Sequence, residues 1–224
     1  MLVDWTAFGL SLKLAAWTSA ALLPVGLLLA RLLAFDVRRG KAVFEALIAL
    51  PLVLPPTVLG FYLLVTFGNA SVLGQAWSRL FGHPLAFSFA GILAASVVVN
   101  LPFAVQPMQR ALEALPPDMR EAAWVSGLTS WGTFRRIELP LAWPGVLSAL
   151  VLTFAHTMGE FGVVLMVGGN IPGETRTAAL AIYDRAQAFD TASAGAMSAL
   201  LLAISVVAIG VVPKLMGRVG SRHG

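Results

Sequence analysis

The stretch from residue 121 to residue 140, EAAWVSGLTSWGTFRRIELP, is a compact charged segment between two long apolar runs of the chain. The Pro116–Pro117 pair just before it ends any preceding helix. Asp118, followed three positions later by Glu121, resembles a capping box. These signals predict a short helix over about 119–126, so the segment is expected to be folded.

A second short helix is expected directly after the first. Gly127 is suited to end the first helix, because glycine readily adopts the left-handed conformation found at helix C-termini. Ser130 is expected to cap a helix over Trp131–Ile137, and Pro140 marks the entry to the next apolar run. The segment is therefore interpreted as two short helices joined at a glycine.

The first of these helices offers a surface on which another protein can pack. Ala122 and Ala123 are small enough for close backbone approach, and Trp124 and Val125 are apolar anchors. Two interpretations stay open on these residues alone. The segment is a helix that docks into a groove of a cytoplasmic partner, or it is an amphipathic helix that rests on lipid headgroups.

The composition around this segment is that of a membrane protein. Of the 224 residues, 58% are hydrophobic and 12% are charged, whereas roughly a quarter of the residues of a soluble domain are charged. The chain has no cysteine, which excludes disulfides and thiolate metal sites, and its 3 histidines lack metal-site spacing. We expect one all-α membrane domain over residues 1–224, with no bound metal.

Five apolar segments are long enough to cross a bilayer, which takes about 20 residues. The expected spans are Leu14–Phe35, Val43–Phe67, Leu85–Gln106, Leu141–Val167 and Ala194–Val212. The loops between them are Asp36–Lys41, Gly68–Pro84, Pro107–Pro140 and Gly168–Ser193.

The distribution of lysine and arginine predicts the orientation, because cytoplasmic loops are enriched in both. One side of the predicted topology carries eleven of the 15 basic residues: Arg31, Arg38, Arg39, Lys41, Arg110, Arg120, Arg135, Arg136, Lys214, Arg218 and Arg222. The other side carries Lys13, Arg79, Arg176 and Arg185. The N-terminus is expected outside, and the C-terminus and the 107–140 loop in the cytoplasm. This placement assigns the basic charge to membrane topology, so no nucleic acid partner is expected.

The loop resembles the EAA motif of the permease subunits of ABC importers. The matching positions are Glu121, Ala122, Ala123, Gly127, Ile137, Leu139 and Pro140. The resemblance implies that the loop forms a coupling helix seated in a cleft of a separate ATP-binding subunit. It also implies a homodimer in a bacterial-type inner membrane, contacting lipid and fed by an extracytoplasmic binding protein.

Other stretches are similar to the permeases for tetrahedral oxyanions. These are LPLVLPPTVLGF (Leu50–Phe61) and HTMGEFGVVLMVGGNIPGETRT (His156–Thr177). The NIPGETRT part favours molybdate, and sulfate, thiosulfate and tungstate are the alternatives. The prolines of the first stretch are interpreted either as a simple kink or as a sign that this helix lines a cavity.

A polar stripe is expected on the fourth span. Thr153, His156 and Glu160 recur at helical spacing, and an ionisable residue within a span is a functional candidate by default. Glu160 lies about 28 Å above the cytoplasmic start of the span. Like charges repel, so Glu160 is expected to act as a gate or a structural partner in preference to an oxyanion ligand.

Glu160 has two expected sets of partners. It pairs with Arg176 of the following loop, or it accepts hydrogen bonds from the backbone near Gly159 and Gly162, whose small size permits close helix approach. Asn170, Thr175 and Arg176 lie in the outer loop, where they contribute to binding-protein docking or to an outer gate. An ordinary solvated loop charge is an equally good interpretation of Arg176.

An enzyme is not expected. The chain lacks the P-loop pattern GxxxxGK[ST], so it binds no ATP of that kind itself, and ATP with Mg is expected on the partner subunit. The alternative is an ion-coupled secondary transporter, in which Glu160 and His156 would be the coupling residues. In that case the EAA-like loop would have no role.

Overall fold

The structure is a computed structural model that describes residues 2–37 and 39–220. Within these residues every regular element is a helix. Arg38 and Arg222, which enter the count of basic residues, lie outside the described residues. The predicted all-α fold is confirmed.

Long helices form the frame of the molecule. They are α1 (Trp5–Arg31), which continues through a π-helical turn (Leu32–Asp36), α5 (Phe89–Glu113), α7 (Ser130–Thr133) joined by a second π-helical turn (Phe134–Glu138) to α8 (Leu139–Gly159), and α11 (Thr191–Gly220). Shorter helices lie between them: α2 (Lys41–Val53), α3 (Pro56–Phe67), α4 (Val72–Phe81), α6 (Pro117–Val125), α9 (Gly162–Gly168) and α10 (Ala178–Gln187).

Four of these helical segments are long and apolar enough to cross a membrane: Trp5–Asp36, Phe89–Glu113, Ser130–Gly159 and Thr191–Gly210. The α2–α3 pair makes a fifth if it is counted as one span. The prediction of about five membrane-spanning segments is thus confirmed, with one of them strongly bent.

The second predicted span is broken at its prolines. Leu54 is extended, with ψ 137°, and α3 starts at Pro56. A residue that precedes proline is disfavoured in the helical conformation, and Pro55 and Pro56 are consecutive. The chain turns by 107° between α2 and α3. The change of direction is therefore much larger than a simple proline kink.

The central core lies between α1, α5 and α8. Its buried side chains are Ala30, Leu33, Val105, Met108, Leu112, Ala142, Val146 and Ala149. Gly145 of α8 lets the two later helices approach closely, because a Cβ there would lie 2.3 Å from the Cβ of Ala111 on α5. Small residues at membrane helix contacts permit this proximity.

Several predicted boundaries are wrong. The third loop begins at Ala114, since α5 continues past Pro107 to Glu113. The first span begins at Trp5, where the Asp4 carboxylate caps α1 by accepting the Ala7 N–H at 3.0 Å. The predicted start at Leu14 omits the first turns of α1, where Thr6, Ser11 and Lys13 interrupt the apolar run.

Two predicted loops each contain a helix. The segment 68–84 holds α4, capped by the Ser71 hydroxyl, which accepts the Gly74 N–H at 2.8 Å. The segment 168–193 holds α10. Both helices have 10 residues, so neither is long enough to register as a membrane span.

Candidate coupling loop and pathway residues

The coupling loop candidate is a helix followed by a tight glycine turn. α6 ends in a Schellman motif, in which the Leu128 N–H donates to the Ala123 carbonyl and the Gly127 N–H to the Trp124 carbonyl, each at 3.0 Å. Gly127 has a φ of +78°, which L side chains rarely adopt. The predicted role of Gly127 in ending the helix is confirmed.

The predicted caps of the two short helices are wrong. Pro116 is the N-cap residue of α6 and Asp118 lies in the first turn, where it makes no side-chain cap. Proline at the first helical position already has a suitable φ, so the helix begins at Pro117, two residues before the start that an Asp118 cap would give. At α7 the cap is Thr129, whose hydroxyl accepts the Gly132 N–H at 3.1 Å, and Ser130 is already helical.

The second short helix is not a separate element. It continues from α7 through the π-helical turn into α8, so that one helical segment of 30 residues runs over Ser130–Gly159. Ile137, Leu139 and Pro140 lie inside that segment, all partly or fully exposed. Pro140 sits in the first turn of α8, where its missing N–H is tolerated.

The two alanines of the motif face in different directions. Glu121 and Ala122 are exposed, whereas Ala123 is only 3% exposed and packs against the chain itself. The expectation that both alanines form one docking surface is therefore wrong for Ala123. Trp124 and Val125 are exposed by 50% and 91%, so the outward face of α6 is small and apolar.

A basic cavity adjoins this face. It measures about 530 Å³ and is lined by Gly127, Leu128, Thr129, Trp131, Gly132, Arg135 and Arg136. Both arginines are exposed, and the Trp131 side chain is also exposed. The loop therefore presents an apolar helix beside a positively charged concave surface.

Glu138, which lies between motif positions Ile137 and Leu139, is the best-paired carboxylate of the loop. Its side chain is fully buried and accepts hydrogen bonds from the Arg31 Nε at 2.7 Å and from the Arg120 Nε at 2.9 Å. These arginines come from α1 and α6. The partners are far apart in the sequence, so no spacing pattern could have revealed this contact.

The outer end of the fourth predicted span is broken at Glu160. α8 ends at Gly159, Glu160 is extended with ψ 127°, and α9 begins at Gly162. A Cβ at Gly162 would lie 2.7 Å from the Cβ of Pro56, so only glycine fits there without rearrangement. The expectation of one continuous helix over Leu141–Val167 is wrong.

Glu160 caps the short helix that follows it. Its Oε1 accepts the Val163 N–H at 3.3 Å, which satisfies one of the free donors of a helix start. The predicted backbone hydrogen bond near Gly162 is thus confirmed. The predicted pairing with Arg176 is wrong, because Arg176 is held by other partners.

His156 is an ionisable side chain close to Glu160. Its Nδ1 lies 3.0 Å from the Asn100 Oδ1 on α5 and 3.8 Å from the Glu160 Oε2. The ring stacks on Phe103 with centroids 4.2 Å apart. Thr153, one turn back, is buried within the protein. The expected polar stripe on α8 therefore exists; Thr153 and Glu160 are buried within the protein, and His156 is partly buried.

The outer loop residues fold the loop and tie it to α10. The Arg176 Nε donates to the Asn170 Oδ1 at 3.0 Å and lies 3.5 Å from the Asp184 Oδ2. The Thr175 hydroxyl donates to the Gly168 carbonyl at 2.7 Å. Asn170, Thr175 and Arg176 thus stabilise the conformation of the loop, and Arg176 is not a free solvated charge.

A cavity opens beside the helix break. It measures about 550 Å³ and is lined by Gly159, Phe161, Ala179, Ile182, Tyr183, Ala186, Ser198, Leu201, Leu202 and Ser205. Its wall combines apolar side chains with the hydroxyl groups of one tyrosine and two serines. Gly159 and Phe161, which flank Glu160, thus line a concave surface.

The chain matches known transport proteins over most of its length. A family model described as "Binding-protein-dependent transport system inner membrane component" matches residues 23–220. The molybdenum transport system permease protein ModB of Azotobacter vinelandii is 50% identical over 191 residues, which cover 85% of this chain and 84% of that protein. The sulfate transport system permease protein CysT of Escherichia coli (strain K12) is 34% identical over 197 residues, covering 88% and 71%.

A solved structure shares the fold. One chain of the crystal structure of a bacterial alginate ABC transporter in complex with an alginate pentasaccharide-bound periplasmic protein superposes with a TM-score of 0.77 at 18% identity, covering 96% of this chain and 78% of that one. The sequence resemblance, the family match and the shared fold agree. The chain therefore belongs to the family of binding-protein-dependent transport system inner membrane components, which are the multi-pass permease subunits of ABC importers.

Proposed function

We propose that this chain is the permease subunit of an ATP-driven molybdate importer of the inner membrane. The observation that carries the proposal is the difference in similarity, 50% identity to a molybdenum permease against 34% to a sulfate permease over similar shares of this chain. The NIPGETRT stretch supports it through its resemblance to the permeases for molybdate. Tungstate, sulfate and thiosulfate are the competing substrates.

The proposed energy source is a separate ATP-binding subunit that docks on α6. The exposed face formed by Ala122, Trp124 and Val125 fits a groove in the manner of other helix-in-groove complexes. The exposed Arg135 and Arg136 beside it favour an acidic rim on that groove. ATP and Mg belong to that partner, and no cofactor is assigned to this chain.

The proposed pathway runs between two copies of the chain. ATP binding draws the ATP-binding subunits together and moves both coupling helices, so that the spans rock to the outward-open state. An extracytoplasmic binding protein then releases its anion from the outer side. Glu160 supports the helix break beside the 550 Å³ cavity and does not bind the anion, because a carboxylate repels it.

Uptake of trace molybdate tests the substrate. Cells with and without the chain are compared, with sulfate added in large excess. We expect uptake that depends on the chain and is insensitive to sulfate. Loss of uptake under excess sulfate would assign the chain to the sulfate permeases, and uptake independent of the chain would remove the oxyanion assignment. Competition by tungstate identifies a shared site, since the two anions are nearly the same size.

A substitution on the exposed face tests the docking. Ala122→Arg adds a long charged side chain to the outward surface of α6 without touching the core, so we expect the ATP-binding subunit to be lost on purification while the permease stays in the membrane. Ala123→Arg is unsuitable for this purpose, because Ala123 is buried and its replacement would unfold the loop. Full transport by the Ala122 variant would contradict docking at this face.

A further inference from the structure

We infer that Arg31, Glu138 and Arg120 form a clamp that ties the coupling helix α6 to the cytoplasmic ends of α1 and α8, so that a displacement of α6 is transmitted to both spans. The inference rests on the proposed function, in which α6 receives the motion of the ATP-binding subunit. It assigns positioning roles to three residues outside the docking face.

The clamp joins three elements through one carboxylate. Glu138 is fully buried, and the two arginines donate to its separate oxygens, Arg31 to Oε2 and Arg120 to Oε1. Hydrogen bonds between charged groups are roughly twice as strong as neutral ones. The Arg31 Nη2 also donates to the Ser130 hydroxyl at 3.0 Å, which adds the start of α7 to the same network.

Aromatic rings contact Arg120, the clamp residue on α6. The Arg120 guanidinium lies 3.6 Å from the centroid of the Phe35 ring and 5.0 Å from that of the Trp124 ring. Cation–π contacts of this kind favour a fixed position of the guanidinium. Phe35 belongs to the end of α1, so Arg120 contacts α1 directly as well as through Glu138.

Little else fastens α6 to the membrane helices. Ala123 is the one buried residue of this helix, and an alanine buries little apolar area. Hydrophobic stabilisation scales with buried area, so packing alone holds α6 weakly. The polar clamp is therefore the main mechanical connection between α6 and the spans.

On both α1 and α8, the clamp lies at a π-helical turn. Phe35 is part of the turn Leu32–Asp36, which follows Arg31, and Glu138 closes the turn Phe134–Glu138. Such turns are rare in proteins, and those that occur are often found at functional sites. The extra residue in the turn shifts the register of the side chains. Here they lie at the ends of α1 and α8 that face the coupling helix.

The test uses Arg31→Gln, because Arg31 lies on α1 and does not belong to the docking face. The full chain is co-expressed with its ATP-binding subunit and reconstituted in lipid nanodiscs at equal protein amounts. We expect the subunit to co-purify and basal ATP hydrolysis to be unchanged, while stimulation by a molybdate-loaded binding protein falls about tenfold, the factor expected for one charged hydrogen bond. Arg31→Lys keeps the charge and should recover part of the stimulation.

Two further variants separate the clamp from a general structural role. Arg120→Gln cuts the other arm and should lower stimulation in the same direction. Arg110→Gln is the matched control, because Arg110 is exposed and pairs with Glu113 outside the clamp; it should behave as wild type. Wild-type stimulation in Arg31→Gln overturns the inference, and so does a complex that falls apart on purification, which would make Arg31 merely structural.

Measurements on the wild-type complex show whether the proposed function itself fails. If the unaltered chain neither retains an ATP-binding subunit nor responds to the molybdate-loaded binding protein, the proposed function fails and the clamp fails with it. If the wild type responds and both arginine variants respond equally well, the proposed function stands and the clamp alone is rejected.

Discussion

The molecule buries two carboxylates in very different surroundings. Glu138, at the N-terminal end of α8, has two arginine partners within 2.9 Å. Glu160, at the other end of the same helix, has one backbone N–H at 3.3 Å and a histidine nitrogen at 3.8 Å. A tightly paired carboxylate fixes the elements around it, whereas a loosely held one permits rearrangement. The N-terminal end of α8 is thus the more strongly fixed by charged hydrogen bonds, and the C-terminal end the more weakly fixed.

Other buried polar groups near α8 also differ in how well they are hydrogen-bonded at its two ends. In and beside the C-terminal half of α8, the hydroxyl oxygens of Thr153 and Ser96 are buried without a hydrogen-bond partner among the described residues. Such groups are costly to bury unpaired. At the N-terminal end of α8, in contrast, both oxygens of Glu138 are paired. The hydrogen-bond pairing of buried groups is therefore more complete at that end.

The largest loss of stability is expected for Glu138→Ala. Removing the carboxylate leaves two partly buried arginines without their counter-charge, which costs about 3 kcal/mol. Thermal unfolding of the purified permease in detergent measures the effect. Glu113→Ala, which breaks the more exposed Lys41 pair, is the control and should cost roughly 1 kcal/mol. Equal losses at the two positions would contradict the special status of Glu138.

Gly162→Ala should have the next largest effect. The added Cβ would lie 2.7 Å from the Cβ of Pro56, and overpacking of this kind costs roughly 1–3 kcal/mol. Gly159→Ala is the matched control, because a Cβ there meets nothing within 4 Å. The same thermal unfolding assay should separate the two variants. Similar behaviour of both would show that the outer break accommodates a side chain by moving.

Glu160→Gln should change stability little but transport more. The amide oxygen of glutamine can still accept the Val163 N–H, so the free energy of unfolding should change by less than about 1 kcal/mol. Loss of the charge beside His156 should lower molybdate uptake several-fold, while the ATP-binding subunit still co-purifies. Wild-type uptake in this variant would show that the charge at Glu160 is incidental.

Val125→Asp should leave stability unchanged, because the Val125 side chain is 91% exposed. Its effect should fall on partner binding, since a charge replaces an apolar anchor at the centre of the docking face. Co-purification of the ATP-binding subunit measures this, with thermal unfolding of the permease alone as the control. Retained binding would move the docking surface away from α6.

Much of the fold could be predicted, because its main signals are local. Apolar runs predict the membrane segments, and Gly127 predicts the end of α6 from the conformation that it alone adopts easily. The basic residues predict an orientation of the termini, which stays a prediction. The family also follows from the motif at residues 121–140, whereas the coupling role of that loop stays a prediction.

The remainder depends on contacts between distant residues. The Arg31–Glu138 pair is separated by 107 positions, and the break at Glu160 depends on the close contact between Gly162 and Pro56. α4 and α10 are too short to be detected as spans. The buried position of Ala123 likewise follows from where α6 packs, which the motif does not encode.

The breaks in two spans lie side by side, and this has a mechanical consequence. Pro56 begins α3 and Gly162 begins α9, and the two residues touch. Above this contact, Gly60 of α3 packs just as closely on Met166 of α9. The half-helices α3 and α9 therefore pack against each other, and the non-helical linkers that join them to α2 and α8 lie side by side. A side chain added at Gly162 would press on both breaks at once, because its Cβ would meet Pro56.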